Sequence, residues 1–237
     1  MAERKPVEEL AKIIGIEYKE DGHLKQAVVH RSYLNEHHDF PLHHNERLEF
    51  LGDAVLELVV TEFLFEKFDK PEGELTNFRA ALVNGQNLAK VGHSMNIEQY
   101  LFLSRGESQD SNEKARNYIL ANTMEAIIGA LYLDFGWDES RDFVHKFIIA
   151  TLDEIMEKEL YIDPKSQFQE EAQARLSTTP NYKVLEESGP DHDKIFRIGA
   201  YLGKELAAEG KGTSKQEAQI DAARNALTAK GWVKKTK

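Results

Sequence analysis

Residues 45–60 read NERLEFLGDAVLELVV, a segment whose leucines and valines call for burial while Glu46, Glu49, Asp53 and Glu57 call for water. An amphipathic helix reconciles the two. Glu46, Glu49 and Asp53 follow the i, i+3, i+7 spacing that lines side chains along one stripe, and Leu48, Leu51, Val55, Leu58 and Val59 form a largely separate apolar face. Acids in a row repel one another, so the stripe is costly unless water solvates it or a cation bridges it. A solvated face is the ordinary outcome for a generic amphipathic helix. Two features favour the cation. Gly52 stands inside the helix, where glycine costs about 1 kcal/mol relative to alanine, and it leaves room for another helix to approach closely. A second helical segment offers Asn122 and Glu125 at i, i+3, followed by Gly129. Two helices crossing at their glycines would bring Glu49, Asp53, Asn122 and Glu125 to one oxygen-lined point. Hard oxygen donors suit Mg²⁺, or Mn²⁺ as a substitute, rather than Zn²⁺. Such a cation can clamp a phosphodiester and activate a water for in-line attack.

The rest of the first 160 residues is helical in period, with almost no strand-like alternation. Helices are expected over 10–16, 24–34, from Asn45 as cap to about Phe68, over 75–95 with Thr76 as a cap after a turn at 70–73, over 115–136 and over 138–159. The segment YIDPKS (161–166) is a junction, because the residue before a proline disfavours helix continuation. Beyond it the texture changes to a helix over 166–176, strands over 181–189, 194–202 and 204–212, and an alanine-rich helix over 214–232. That order predicts an α+β layer with two helices on one face of a small sheet. The expected domains are 1–160 and 161–237.

Charge divides the chain at the same place. Residues 1–160 hold 17 Lys and Arg against 30 Asp and Glu, and residues 161–237 hold 13 against 11. The first part, at net −13, suits the gathering of divalent cations, and the second, at net +2, suits contact with phosphates. The absence of cysteine excludes disulfides and thiolate metal sites. No apolar segment resembles a leader or approaches membrane-spanning length. The expectation is a cytoplasmic protein with no membrane partner.

NERLEFLGDAVL resembles the signature of the ribonuclease III family, and HRSYLNE (30–36), GELTNFRAALVN (73–84), LFLSRGE (101–107) and NTMEAIIGALYLD (122–134) resemble its other blocks in the same order. DPKSQFQEEAQ and GKGTSKQEAQIDAA resemble a double-stranded RNA-binding domain. Together these cover nearly the whole chain. The resemblance implies an all-α catalytic domain followed by the small α+β domain. It also implies an Mg²⁺-dependent endonuclease that cuts double-stranded RNA as a homodimer, leaves 5′-phosphates and short 3′ overhangs, and serves rRNA and mRNA maturation. By the same resemblance Glu49, Asp53 and Glu125 fall on metal-binding carboxylates, with Asp53 and Glu125 catalytic. Glu46 falls on an acid that supports catalysis, Glu72 on a more weakly assigned acid, and Phe50 on an apolar contact with the partner subunit.

The family usually has Asp where this chain has Asn122. An amide keeps an oxygen donor and loses the charge, so metal affinity should fall. Natural variation, a cleavage-impaired form that binds double-stranded RNA without cutting it, and compensation by Glu46 or Glu72 are the competing explanations; a working nuclease is the favoured one. An acidic helical scaffold for protein partners is a third functional class, and it leaves the RNA-binding blocks unexplained.

Duplex RNA presents shape, phosphates and 2′-hydroxyls. Ser166, Gln169, Glu170 and Gln173 lie along one helix face, which the resemblance assigns to a minor groove, and His192 falls in a strand-connecting loop assigned to the next groove. Thr213, Ser214 and Lys215 open the closing helix, where backbone N–H groups and the helix dipole favour phosphate. The histidines of HHDFPLHH (37–44) read as a solvated loop rather than a zinc site. Trp137 and Trp232 read as packing residues, and Arg31 and Ser32 as structural.

Overall fold

The apolar spacing near the N-terminus forms α1 (Val7–Ile14), which Gly15 stops in a left-handed conformation at φ 97°. The computed structural model describes residues 4–190 and 194–232. A single helix over 24–34 does not form. Instead α2 (Leu24–Ala27) and α3 (Arg31–Glu36) flank an extended stretch in which Val29 bridges Phe102 in parallel, with Phe102 N–H donating to Val28 O at 2.9 Å and His30 N–H donating to Phe102 O at 3.1 Å. Tertiary pairing overrides the local helical period there.

Residues 37–44 contain no helix or strand, as expected of a loop, and α4 (Glu46–Lys67) follows. The expectation that Asn45 caps this helix through its side chain is not met. Its backbone is already helical, and its buried amide donates instead to Ala27 O at 3.0 Å, while its N–H donates to Val29 O at 2.9 Å. Asn45 thus ties the start of α4 to the extended stretch before α3.

Three other boundaries differ from the sequence expectation. Helix α5 (Glu72–Val83) begins inside the expected turn, behind Pro71, so Thr76 is internal and caps nothing. The run over 75–95 breaks at Asn84, which turns extended and accepts from Asn87 N–H at 2.9 Å to start α6 (Gly85–Ser94). A short α7 (Arg105–Gln109) precedes α8 (Glu113–Phe135), and the expected last helix is split into α9 (Trp137–Phe147) and α10 (Leu152–Glu157) by a 3₁₀ turn over Ile149–Thr151. Trp137 packs against the core of this unit.

Helix α8 is the centre of the helical unit. From Ile119 to Leu131 nearly every residue is buried, so it is covered on all sides. Helix α4 crosses it backbone to backbone. A Cβ added at Gly52 would lie 1.7 Å from the Glu125 carbonyl oxygen, and one added at Gly129 would lie 2.2 Å from the Leu48 carbonyl oxygen. Only glycine permits that approach at either position. The apolar face of α4 is rotated from the expected one. Leu48, Val55 and Val59 are buried with Leu56, Val60 and Leu64, whereas Leu58 is exposed in company with Phe50 and Phe65.

The chain divides between Tyr161 and Ile162 into two compact units. In the second, Asp163 caps α11 (Pro164–Leu176) with Pro164 in its first turn, so the proline that bars helix continuation also opens the next helix. Strands β1 (Asn181–Ser188), β2 (Ile195–Leu202) and β3 (Glu205–Gly212) form an antiparallel sheet in the order β1-β2-β3, and α12 (Lys215–Lys230) follows, capped by Ser214. Phe168, Ala172, Leu202, Ala222, Ala226, Leu227 and Trp232 make its core. Alanines along α12 let it lie on β3, where a Cβ at Gly210 would stand 2.1 Å from Ala222 N.

The glycine crossing makes a direct prediction. Gly52→Ala should destabilise the protein by about 2–3 kcal/mol, because backbone rather than a mobile side chain stands in the way. Gly73→Ala, with nothing within 4 Å of its added Cβ, should change stability by less than about 1 kcal/mol. Urea denaturation of the two variants measures the difference.

Candidate active site and nucleic-acid interface

The contact at Gly52 and Gly129 fixes which side chains meet. On α4, Glu49 lies three residues before Gly52 and Asp53 one after it; on α8, Asn122 and Glu125 lie seven and four residues before Gly129. Their electrostatics show that they share a neighbourhood. Burial, then the charges of Asp53 and Glu49, push the Glu125 carboxyl up to about 7. Burial, then Glu46, also raises Glu49; a loose hydrogen bond from the Asn122 amide opposes that rise, and Asp53 adds to it. No lysine or arginine among the described residues relieves Glu49 or Glu125; the acids act on one another.

Such an arrangement is unfavourable by itself and fits a cation. The four candidate side chains each offer an oxygen donor, which suits a hard divalent ion. No three His, Cys, Asp or Glu side chains among the described residues stand close enough to form a ready-made cage. One of the four candidate donors, Asn122, is an amide and carries no charge.

The remaining acids of the opening segment separate by environment. Glu57 is neutralised by Arg79, whose Nε lies 3.0 Å from its Oε2, so it belongs to structure. Glu46 heads α4 with Arg31 Nη1 at 3.3 Å and His44 Nδ1 at 3.7 Å from its two carboxylate oxygens. Glu72 is an exposed residue opening α5, and no hydrogen bond or ion pair among the described residues joins it to the cluster. Phe50 is 82% exposed, and Leu58 at 57% and Phe65 at 77% extend the same apolar strip along α4. Sequence reasoning placed Leu58 in the core and singled out only Phe50 of this strip. Its signal was present: Phe50, Ala54, Leu58 and Phe65 repeat at four, four and seven residues.

In the second unit Ser166, Gln169, Glu170 and Gln173 are all exposed on α11. Asp163 accepts from the Ser166 hydroxyl at 2.6 Å and holds its direction. At the start of α12, Ser214 Oγ accepts from Glu217 N–H at 3.1 Å as the N-cap, and Glu217 reaches back to accept from Thr213 N–H at 2.9 Å, so the turn is ordered from both sides. Lys215 rests on Glu187 at 3.0 Å, a surface pair weak enough to exchange for a phosphate. His192 lies outside the described residues.

The raised Glu125 carboxyl has a consequence for stability without metal. Folded Glu125 keeps its proton to about pH 7, whereas an unperturbed glutamate releases it near 4.5. The folded state therefore binds more protons in that interval, and its stability falls as pH rises from about 4.5 to about 7, then levels off. Urea denaturation in EDTA should find the protein less stable at the upper end of that window than at the lower, and Glu125→Gln should remove this part of the slope.

Comparison with known proteins agrees with the two-unit layout. A Ribonuclease-III-like family profile matches residues 20–152, and the double-stranded RNA binding motif matches residues 164–229. Ribonuclease 3 of Nitratiruptor sp. is 41% identical over 224 residues, covering 94% of this chain and 96% of that protein. Ribonuclease 3 of Roseiflexus sp. is 41% identical over 229 residues, covering 95% and 96%. Among solved structures, a nuclease domain of ribonuclease III from Campylobacter jejuni, described for flexibility in a region involved in dimer formation, is 37% identical with a TM-score of 0.54 over 61% of this chain and 97% of that one. Two helices that pool acids beside a glycine contact, followed by a capped α-β-β-β-α module and matched along almost the entire length, place this chain in the ribonuclease III family as an endoribonuclease of double-stranded RNA.

Proposed function

We propose that the protein cuts duplex RNA as a symmetric homodimer, using a divalent cation held by Glu49, Asp53, Asn122 and Glu125. The observation that supports this reading is the crossing at Gly52 and Gly129, beside which Glu49, Asp53 and Glu125 act on one another with no lysine or arginine among the described residues relieving Glu49 or Glu125. When bound, Mg²⁺, or Mn²⁺ in its place, supplies charge stabilisation at the scissile phosphate and an activated water. The chain's own contribution is to orient. Glu125, fixed on the buried helix α8, and Asp53, on the crossing helix α4, present carboxylates from two directions. Glu46 supports them from the head of α4. Products would carry 5′-phosphates and short 3′ overhangs, as in maturation of ribosomal and messenger precursors in the cytoplasm.

The exposed strip of Phe50, Leu58 and Phe65 supports self-association, since a monomer gains nothing by holding these side chains in water. Two acidic clusters facing one duplex would cut both strands. The second unit would anchor the RNA through Ser166, Gln169, Glu170 and Gln173 of α11, His192, and Thr213, Ser214 and Lys215 at the head of α12. Doubling the module in a dimer would raise its modest individual affinity. A form that binds duplexes without cutting finds no support in relatives named Ribonuclease 3 along almost their entire length. No helix among the described residues is long and apolar enough to cross a membrane.

Asn122 is a tuning position in this reading. Its amide helps Glu49 stay ionised without adding charge, at the cost of one negative ligand. Incubation of a long RNA duplex should yield short duplexes with Mg²⁺ and an intact, shifted band with EDTA. An intact band under both conditions contradicts the proposal. Asn122→Asp should lower the Mg²⁺ concentration for half-maximal cleavage, and an unchanged metal requirement would refute the role given to the amide.

A further inference from the structure

Glu46 opens α4, one turn ahead of Glu49, and its charge is the largest that acts on Glu49 from another residue. A partly exposed glutamate forgoes about 1.5–2 kcal/mol of side-chain freedom when held in one orientation, so an acid that serves the cluster from this place needs something to hold it. One basic group stands at each of its oxygens. Arg31 Nη1 is 3.3 Å from Oε1, and His44 Nδ1 is 3.7 Å from Oε2. The His44 Nδ1 atom is itself buried and has no hydrogen-bond partner among the described residues, so the Glu46 carboxylate is the acceptor it faces in the tautomer that carries its proton there.

The backbone segments beside both groups are tied together. Arg31 opens α3, and His44 ends the loop before α4. Gln26 Nε2 donates to His44 O at 3.2 Å, Asn45 Nδ2 to Ala27 O at 3.0 Å, and Asn45 N–H to Val29 O at 2.9 Å. These bonds lace residues 26–29 to residues 44–45 immediately beside the contact. A surface ion pair contributes little to stability, which leaves orientation as its use. From this geometry we infer that Arg31 and His44 are positioning residues that clamp Glu46 against the acidic cluster and so set the affinity of the site for its divalent ion. The inference rests on the proposed metal-dependent cleavage.

The test uses the full-length chain with Arg31→Ala, His44→Ala and His44→Asn, the last keeping an N–H near the position of Nδ1. Calorimetry with Mn²⁺ on RNA-free protein reads metal affinity directly, and cleavage against Mg²⁺ at saturating duplex reads the half-saturating concentration. Each alanine variant should weaken Mn²⁺ binding and raise the Mg²⁺ requirement about tenfold, and His44→Asn should recover most of the loss. In a Glu46→Gln background the same alanine changes should add nothing further, because the clamp then has no carboxylate to hold. Thermal melts check that the variants fold. Metal affinity unmoved by folded variants, or an equal further loss in the Glu46→Gln background, overturns the inference while wild-type cleavage leaves the proposed function standing. A wild-type protein that neither binds Mn²⁺ nor cuts overturns both.

Discussion

Two helices touch backbone to backbone where Gly52 of α4 meets Gly129 of α8, and the grouping of acids in the proposed site depends on that contact. A side chain larger than hydrogen at either position would run into the backbone of the other helix. With the contact made, residues one turn away on either helix are committed to one another. That is why acids occupy an otherwise apolar crossing, and why they lie beside the glycines. The answer to the carboxylates at the head of α4 is thus a division of labour. Glu49 and Asp53 belong to the crossing, Glu46 stands one turn ahead of Glu49 beside Arg31 and His44, and Glu57 is an ordinary partner of Arg79.

Electrostatic cost and function are the same fact at this site. Burial and mutual repulsion raise Glu49 and Glu125, and no cation among the described residues relieves them. A chain selected only for stability would replace one of these acids by an apolar residue or pair it with a lysine. In the proposed function, that repulsion is what a bound divalent ion would relieve. Asn122 moderates it with a side-chain hydrogen bond toward Glu49. The second unit does the opposite task with an unremarkable surface. In the proposed function, its exposed polar residues on α11 and its capped turn before α12 would offer contacts to a backbone of fixed shape, without needing strong net charge.

Much of this was legible in the sequence, for identifiable reasons. Glycines at 52 and 129, each beside acids at helical spacing, announce a close crossing, because glycine inside a long helix needs a packing reason. The α-β-β-β-α module was legible from its turns and from Asp163, Pro164 and Ser214, whose roles are local. What escaped was decided at long range. Asn45 looks like a helix cap, yet its amide is spent on Ala27, which is distant in sequence. The expected helix over 24–34 breaks because Val29 pairs with Phe102. Leu58 has the hydrophobicity of a core residue, but the roll of α4 against α8 turns it outward with Phe50 and Phe65. Arg31 and His44 carry no motif that marks them as neighbours of Glu46; only the lacing of residues 26–29 onto 44–45 brings them there.

The most direct test of the central claim is anomalous diffraction from crystals of the protein grown with Mn²⁺. One peak enclosed by the side-chain oxygens of Glu49, Asp53, Asn122 and Glu125, at about 2.0–2.3 Å from those that bind directly, is the expected result. Manganese bound elsewhere, with these four side chains left unligated, would contradict it.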